Sequence, residues 1–261
     1  EKNVAIGQGA LESHTTASNN TAVGNGSAAY NTTGADNTAV GSAALERNTT
    51  GSNHIAIGKS ALLSQTTGSD SIAIGKDALS VGTALTQQLA IGNDAGKNTT
   101  GSDNIFIGHQ VGVTNTGGSA NTAIGHRAFF FNTSGNNNVA LGLGALKQNT
   151  TASDNTAIGK NALNANTTGS LHVAVGISAL GSNTTGNFNT ALGREALALN
   201  TTGSSNVAVG LNALSQNTTA NENVAVGRNV LVNNTTGDLN TGVGSFCLDA
   251  CTTGHGNAPL G

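Results

Sequence analysis

The 261-residue sequence has no tryptophan and no methionine, one tyrosine, one proline and two cysteines. Aromatics make up 3% and charged residues 9%, where an ordinary globular domain carries about 25% charge. These shortages exclude a conventional globule with an aromatic core and a charged surface. The net charge is −3 with both signs scattered, so no basic face invites nucleic acid or an anionic membrane. No apolar run approaches the roughly 20 residues that span a bilayer, so membrane insertion within this segment is not expected. Two cysteines do not make a disulfide framework of the small secreted kind. With no signal peptide and a start at Glu1, the chain reads as a processed or excised piece of a longer product.

What is abundant is Gly, Ala, Asn, Thr and Ser. That mix suits a disordered coil, but Val, Ile and Leu recur too regularly for one. A glycine closes a short apolar run at Gly7, Gly24, Gly41, Gly58, Gly75, Gly92 and Gly108, and on to Gly244 and Gly261. Every interval is 17 residues except Gly92 to Gly108, which is 16. The consensus is Asn-Thr-Ala-Val-Gly-x-x-Ala-Leu-x-x-Asn-Thr-Thr-Gly-x-x. Self-similarity at a fixed period is the mark of a repeat architecture, and here it covers residues 1–261 as one continuous array.

Asn-Thr-Ala-Val-Gly alternates as a strand does. The residue before the glycine is Val, Ile or Leu (Ile6, Val40, Ile57), and the one before that is Ala in nearly every coil, with Phe106 and Gly242 as exceptions. Side chains two apart share a face, so the aliphatic pair lines one surface and the Ala the other. A methyl-only limit implies close approach of two backbones. Gly-x-x supplies a corner, Ala-Leu a second inward knob, and Asn-Thr-Thr-Gly a second corner whose side chains bond local backbone. Seventeen residues is too short for a helical repeat and suits one coil of two short strands and two turns, stacked at about 4.8 Å. The expected fold is an all-β, single-coil parallel β-solenoid (β-roll), a rod on the order of 70 Å long. About three sizeable apolar side chains per coil would be buried, at roughly 1.5–3 kcal/mol each before entropy. That is thin for 17 ordered residues, so identical-residue ladders and association between chains are expected as supplements.

The motif Asn-Thr-Ala-Val-Gly-x-x-Ala-Leu resembles the Asn-Ser-Val-Ala-Ile-Gly-x-x-Ser repeats in YadA-like heads of trimeric autotransporter adhesins, most closely at Asn53 to Gly58 and Asp70 to Gly75. The Ala-Leu-x-x-Asn-Thr-Thr-Gly extension is also similar to repeats in bacterial and phage tail-fibre proteins. The resemblance implies a trimer of left-handed parallel β-rolls at a cell or virion surface that binds host or matrix ligands. Coil length departs from it, since the adhesin heads have shorter coils.

Several constellations have a sharp reading beside a plain one. Asn31, Asn48, Asn98, Asn132, Asn149, Asn166, Asn183, Asn200, Asn217 and Asn234 begin Asn-x-Ser/Thr acceptor triplets. They read as a line of glycosylation sites along one corner, or as an Asn ladder that bonds backbone and needs no sugar. The ladder is preferred, because such triplets arise freely in an Asn/Thr-rich repeat. The corner threonines admit a minor reading as an ice-binding array, opposed by their place in a turn rather than on a flat strand. Cys247 and Cys251 lie too far apart along extended chain to bridge each other, so they read as free thiols or an interchain disulfide. With His255 they match no common zinc spacing. His54 and His172 replace Asn, and His109 and His126 follow the glycine, with no nucleophile or carboxylate recurring beside them. All four read as surface or corner histidines. No catalytic, cofactor or metal site is expected. The irregular stretch between Val81 and Phe131, including Gly82, Gly96, Phe106 and Phe129 to Phe131, is where a kink or partner would sit, against simple drift in a tolerant repeat.

The leading expectation is a non-enzymatic extracellular structural and adhesive fibre, a surface adhesin head or tail-fibre shaft. Its partners are itself, as a homotrimer or an end-to-end filament, and a host surface, matrix or glycan held by repeated weak contacts. The rival is a self-assembling extracellular filament, glycan-coated along the Asn-Thr-Thr corner.

Overall fold

The computed structural model describes residues 2–259. Glu1, Leu260 and Gly261, the expected cut start and the close of the last repeat, lie outside the described residues. The protein is an all-β parallel β-solenoid with one coil per 17-residue repeat, and no helix occurs among the described residues. It falls into two compact units, divided between Ser134 and Gly135, and each is described on its own. The first unit carries β1 (Val4–Ile6), β2 (Thr21–Val23), β3 (Thr38–Val40), β4 (Ile55–Ile57), β5 (Ile72–Ile74), β6 (Leu89–Ile91), β7 (Ile105–Ile107) and β8 (Thr122–Ile124). The second carries β9 (Val139–Leu141), β10 (Thr156–Ile158), β11 (Val173–Val175), β12 (Thr190–Leu192), β13 (Val207–Val209), β14 (Val224–Val226) and β15 (Thr241–Val243). Within each unit every strand pairs in parallel with the next at identical register, as Ala39 with Ala56 and Ala191 with Ala208.

Each coil has one strand, not two. The second strand, expected around Ala-Leu, does not form: left-handed residues stand at alternate positions there, such as Ala43 (φ 56) and Leu45 (φ 52). That backbone cannot extend, so the segment is a chain of turns. A left-handed non-glycine residue costs roughly 1–2 kcal/mol. Turn-to-turn hydrogen bonds offset it, as where Leu45 N–H donates to the Ala61 carbonyl at 2.9 Å. The glycine that ends the strand has a firmer reason. At Gly41 φ is 133, and a Cβ would stand 2.7 Å from the Gly58 carbonyl carbon one coil on.

The inside and outside of the strand are also reversed from the expected burial of the aliphatic pair. In β4, Ala56 is fully buried while Ile55 and Ile57 are 36% and 38% exposed. The methyl-only side is the interior, where opposite walls of the coil nearly touch. The one sizeable apolar side chain that each regular coil buries is the Leu of Ala-Leu, such as Leu45, Leu163 or Leu214.

The exceptions follow from that geometry. Phe106 is fully buried in the Ala position of β7. It fits because Gly96 in the preceding coil and Gly112 in its own replace the inward Leu; a Cβ on either would meet the Phe106 ring at 2.7–2.8 Å. The irregular stretch between Val81 and Phe131 is therefore, at this point, a compensated repacking of the interior. Phe129 likewise occupies the inward Leu position and is fully buried.

Candidate functional site

Nearly half of each interior is polar, and this disposes of most of the candidate glycosylation sites. Asn48 Nδ2 donates to Asn31 Oδ1 one coil back at 2.8 Å and to the Gly51 carbonyl at 2.8 Å. The same pattern runs through Asn166, Asn183, Asn200, Asn217 and Asn234. Asn31, Asn48, Asn132, Asn149, Asn166, Asn183, Asn200, Asn217 and Asn234 are all fully buried. A sugar on Nδ2 would remove a ladder proton and has no room, so in the folded chain these nine are structural. Asn98 differs. The coil after Gly92 is one residue short, and Thr99 takes the fully buried ladder place, its N–H donating to Gly96 as the ladder asparagines donate to Leu. Asn98 stands one place earlier and is half-buried. The sequence pattern aligned Asn98 with the corner because the triplet is intact, whereas in the stacked coil the missing residue falls between Thr99 and Gly101.

The first threonine of each corner is likewise engaged: Thr49 and Thr201 donate their hydroxyls to the next coil's carbonyl at 2.9 and 3.0 Å, while the second, such as Thr50 or Thr202, is exposed and stands in a turn rather than on a flat strand.

A second buried ladder runs through the Asn that precedes each strand. Asn37 Nδ2 donates to the Gly51 carbonyl at 2.9 Å, and its Oδ1 accepts the His54 N–H at 2.9 Å. His54 and His172 belong to this ladder and are buried, not on the surface. His172 Nε2 donates to the Gly186 carbonyl at 2.7 Å, and its Nδ1 accepts the Asn189 N–H at 3.1 Å. The ring thus copies both bonds of the amide it replaces and must be neutral to do so. Burial lowers the His172 pKa to about 4 against the bonds to Gly186 and Asn189, and burial lowers that of His54 too. His109 and His126 are exposed and stack at 5.3 Å on neighbouring coils.

Both cysteines are free thiols. Cys247 is 7% exposed, inward in the Ala position, with its sulfur 3.5 Å from the Pro259 carbonyl. Cys251 takes the ladder place and is half-buried. Among the described residues no group of three His, Cys, Asp or Glu could hold a metal. A concavity of about 610 Å³ in the second unit is lined by Asn164, Ser178, Ser182, Asn212 and others, with Glu195 its one titratable group. A lone carboxylate offers no acid–base pair. No helix among the described residues is long and apolar enough to cross a membrane.

The feature that remains is the outer face of the strands. In each unit it carries two columns: Val, Ile or Leu at the strand's last residue, and Thr or an aliphatic at its first. Ile124, Ile158, Val173, Leu192 and Val226 are 37–39% exposed. At about 4.8 Å per strand, each unit's strip covers a few hundred Å², the size at which an apolar patch marks an interaction surface. Exposed residues flank it on both sides. On the leading side stand Asp70, Asp154, Phe188 and Glu222; on the trailing side stand Lys76, Lys160, Ile177 and Arg228. Periodicity had found these two faces but not which of them water sees. Compared with protein-family models, with curated proteins and with solved structures, the chain matches none.

Proposed function

We propose that this chain is a non-enzymatic structural and adhesive fibre element, displayed outside the cell or on a virion as an adhesin head or tail-fibre shaft. The outward apolar strip carries the reading. A chain that leaves a column of Val, Ile and Leu partly in water on strand after strand, beside a second column of aliphatics and Thr, has a surface made to be covered, and one sizeable inward side chain per coil is little core. Association of copies, as a homotrimer or a filament, supplies the missing burial, and the resemblance to adhesin-head and tail-fibre repeats agrees with it. Host, matrix or glycan ligands are then held by contacts repeated from coil to coil. The glycan-coated alternative loses its support, since nine of its ten acceptor amides are buried.

Sedimentation velocity on the purified chain tests the reading. The expected result is a discrete assembly that Ile158→Lys disperses while the circular dichroism of the fold persists. A folded monomer at tens of micromolar would overturn it.

A further inference from the structure

At five of the strands the exposed residues flanking the apolar strip match in chemistry, and at others, such as β4 (Asn53 and Lys59) and β9 (Asn137 and Leu143), they do not. The residue two places before a strand and the residue two places after it sit at one level, on opposite sides of the strip. At β5 they are Asp70 and Lys76; at β10, Asp154 and Lys160; at β14, Glu222 and Arg228. At β11 they are Leu171 and Ile177, and at β12 Phe188 and Arg194, which suit apolar and cation–π contact. All ten are exposed. None of these levels sets like charge against like.

Within one chain the members of a pair cannot meet, because three extended residues, about 10 Å of chain, lie between them. Among the described residues Lys160 and Arg228 have no carboxylate within ion-pair distance, while Lys76 has only Asp77 at 3.8 Å on its own coil. Asp70 and Asp154 accept from Asn53 and Asn137, Arg194 pairs with Glu195 and Arg228 lies over the Phe246 ring, but none of them meets its match across the strip.

We infer that a second copy of this chain uses the matching: copies pack parallel and in register, the trailing column of one against the leading column of the next. This rests on the reading that a second copy covers the apolar strip. Rotation about an axis along the coil stack brings a trailing column against a leading one at equal level. An antiparallel pair brings each column against itself, so that no cation of the trailing column meets a carboxylate of the leading one. A slip of one coil sets Lys160 opposite Leu171, Arg228 opposite Leu239 and Lys76 opposite Gln87. In the second unit only the parallel, unshifted arrangement pairs both Lys160 and Arg228, and in the first unit the same arrangement pairs Lys76. The apolar columns supply adhesion and cannot tell one register from another; the flanking pairs can.

The test uses full-length chains carrying Cys247→Ala and Cys251→Asn, the residues that other coils place there, and one new cysteine each. Chains with Asp154→Cys and Lys160→Cys are co-expressed under different tags and treated with a short bifunctional thiol reagent. A bridge is expected between the two kinds of chain, with little between chains of one kind. The exchange Asp154→Lys with Lys160→Glu should restore an assembly that Lys160→Glu alone weakens by about tenfold. Bridges within one kind of chain, bridges from Lys160→Cys to Leu171→Cys, or an assembly that gives none of these would overturn the pairing and leave the apolar association standing. A monomer by sedimentation would overturn both.

Discussion

The two units solve the same packing problem with different discipline. From Leu146 to Leu231 in the second unit, every coil puts a fully buried Leu inward, and the corner ladder runs unbroken from Asn149 to Asn234. In the first unit the ladder stops at Asn48, whose Oδ1 has no partner, because Gln65 follows and turns its amide to the Leu85 backbone. Gly82 and Thr99 come next, Thr99 with an unpaired hydroxyl, before Asn115 and Asn132 resume the pattern. The backbone pairing nevertheless keeps register through the short coil, with Ala90 opposite Phe106. Parallel coil-to-coil hydrogen bonds therefore hold the architecture, and the side-chain ladders can be interrupted where neighbouring coils compensate.

The largest expected effect tests that compensation. Phe106→Ala should cost about 3–5 kcal/mol, read as faster hydrogen exchange in the coils around β6 to β8, because Gly96 and Gly112 leave the ring's space empty. Adding Gly96→Leu and Gly112→Leu should recover most of it, since both glycines have a left-handed φ, 58 and 57, close to the 48–52 of the inward leucines from Leu45 to Leu231. A loss below about 1 kcal/mol for Phe106→Ala alone would mean the interior there is not closely packed. In the second unit, where no glycine makes room, Ala157→Phe should be as damaging, and no single partner change should rescue it.

Next comes acid. Both units hold a buried, neutral ladder histidine whose pKa is lowered, so the folded chain binds fewer protons than the unfolded chain. The stabilisation is complete above the unfolded value of 6.5 and is lost as pH falls from there toward the folded value, about 4 for His172. That drop is worth about 3 kcal/mol. Denaturation midpoints should therefore fall between pH 7 and pH 4, and His172→Asn should remove much of the slope. An unchanged slope would place the acid sensitivity elsewhere.

The ladders themselves give a smaller contrast. Asn200→Ala strips a donor from Gly203 and Asn183 and an acceptor from Asn217, at about 1–3 kcal/mol. Asn48→Ala removes a side chain whose Oδ1 already lacks a partner and should cost less by roughly 1 kcal/mol on the same logic. Equal costs would show that the broken ladder in the first unit is no weaker than the continuous one.

Much of this was legible before any coordinates. The fixed interval between glycines, the two-residue alternation and the length of the coil led to a parallel β-solenoid, and they did. The preference for an Asn ladder over sugar rested on composition alone, and burial supports it. Three things were hidden. Periodicity separates Ala from Ile and Val but carries no sign for inside and outside. The inward Leu adopts φ near +50, which its identity disfavours. And the 16-residue interval has its missing residue inside an intact Asn-Thr-Thr-Gly, so only the stacking shows that Thr99, not Asn98, faces in. A signal for the first did exist. The strand's first residue is Thr in six of fifteen strands, and a hydroxyl fits better on a wet face than in a dry core.

That signal leads to the smallest effect on folding and the sharpest test of assembly. The two outward columns have similar exposure yet differ in composition: the first accepts Thr, while the last is Val, Ile or Leu in all fifteen strands. Folding gives no reason for the difference, because both face away from the core. An association does, if the last column lies at its centre. Val207→Thr and Val209→Thr should each change folding stability by less than about 0.5 kcal/mol. Val209→Thr should weaken self-association by about fivefold, from roughly 1 kcal/mol of lost apolar burial, and Val207→Thr by less. The matching pair in the first unit, Ile72→Thr and Ile74→Thr, should behave alike if both units present the strip to a second copy. Equal, negligible effects at all four positions would leave the aliphatic column without a physical cause and would count against the interface itself.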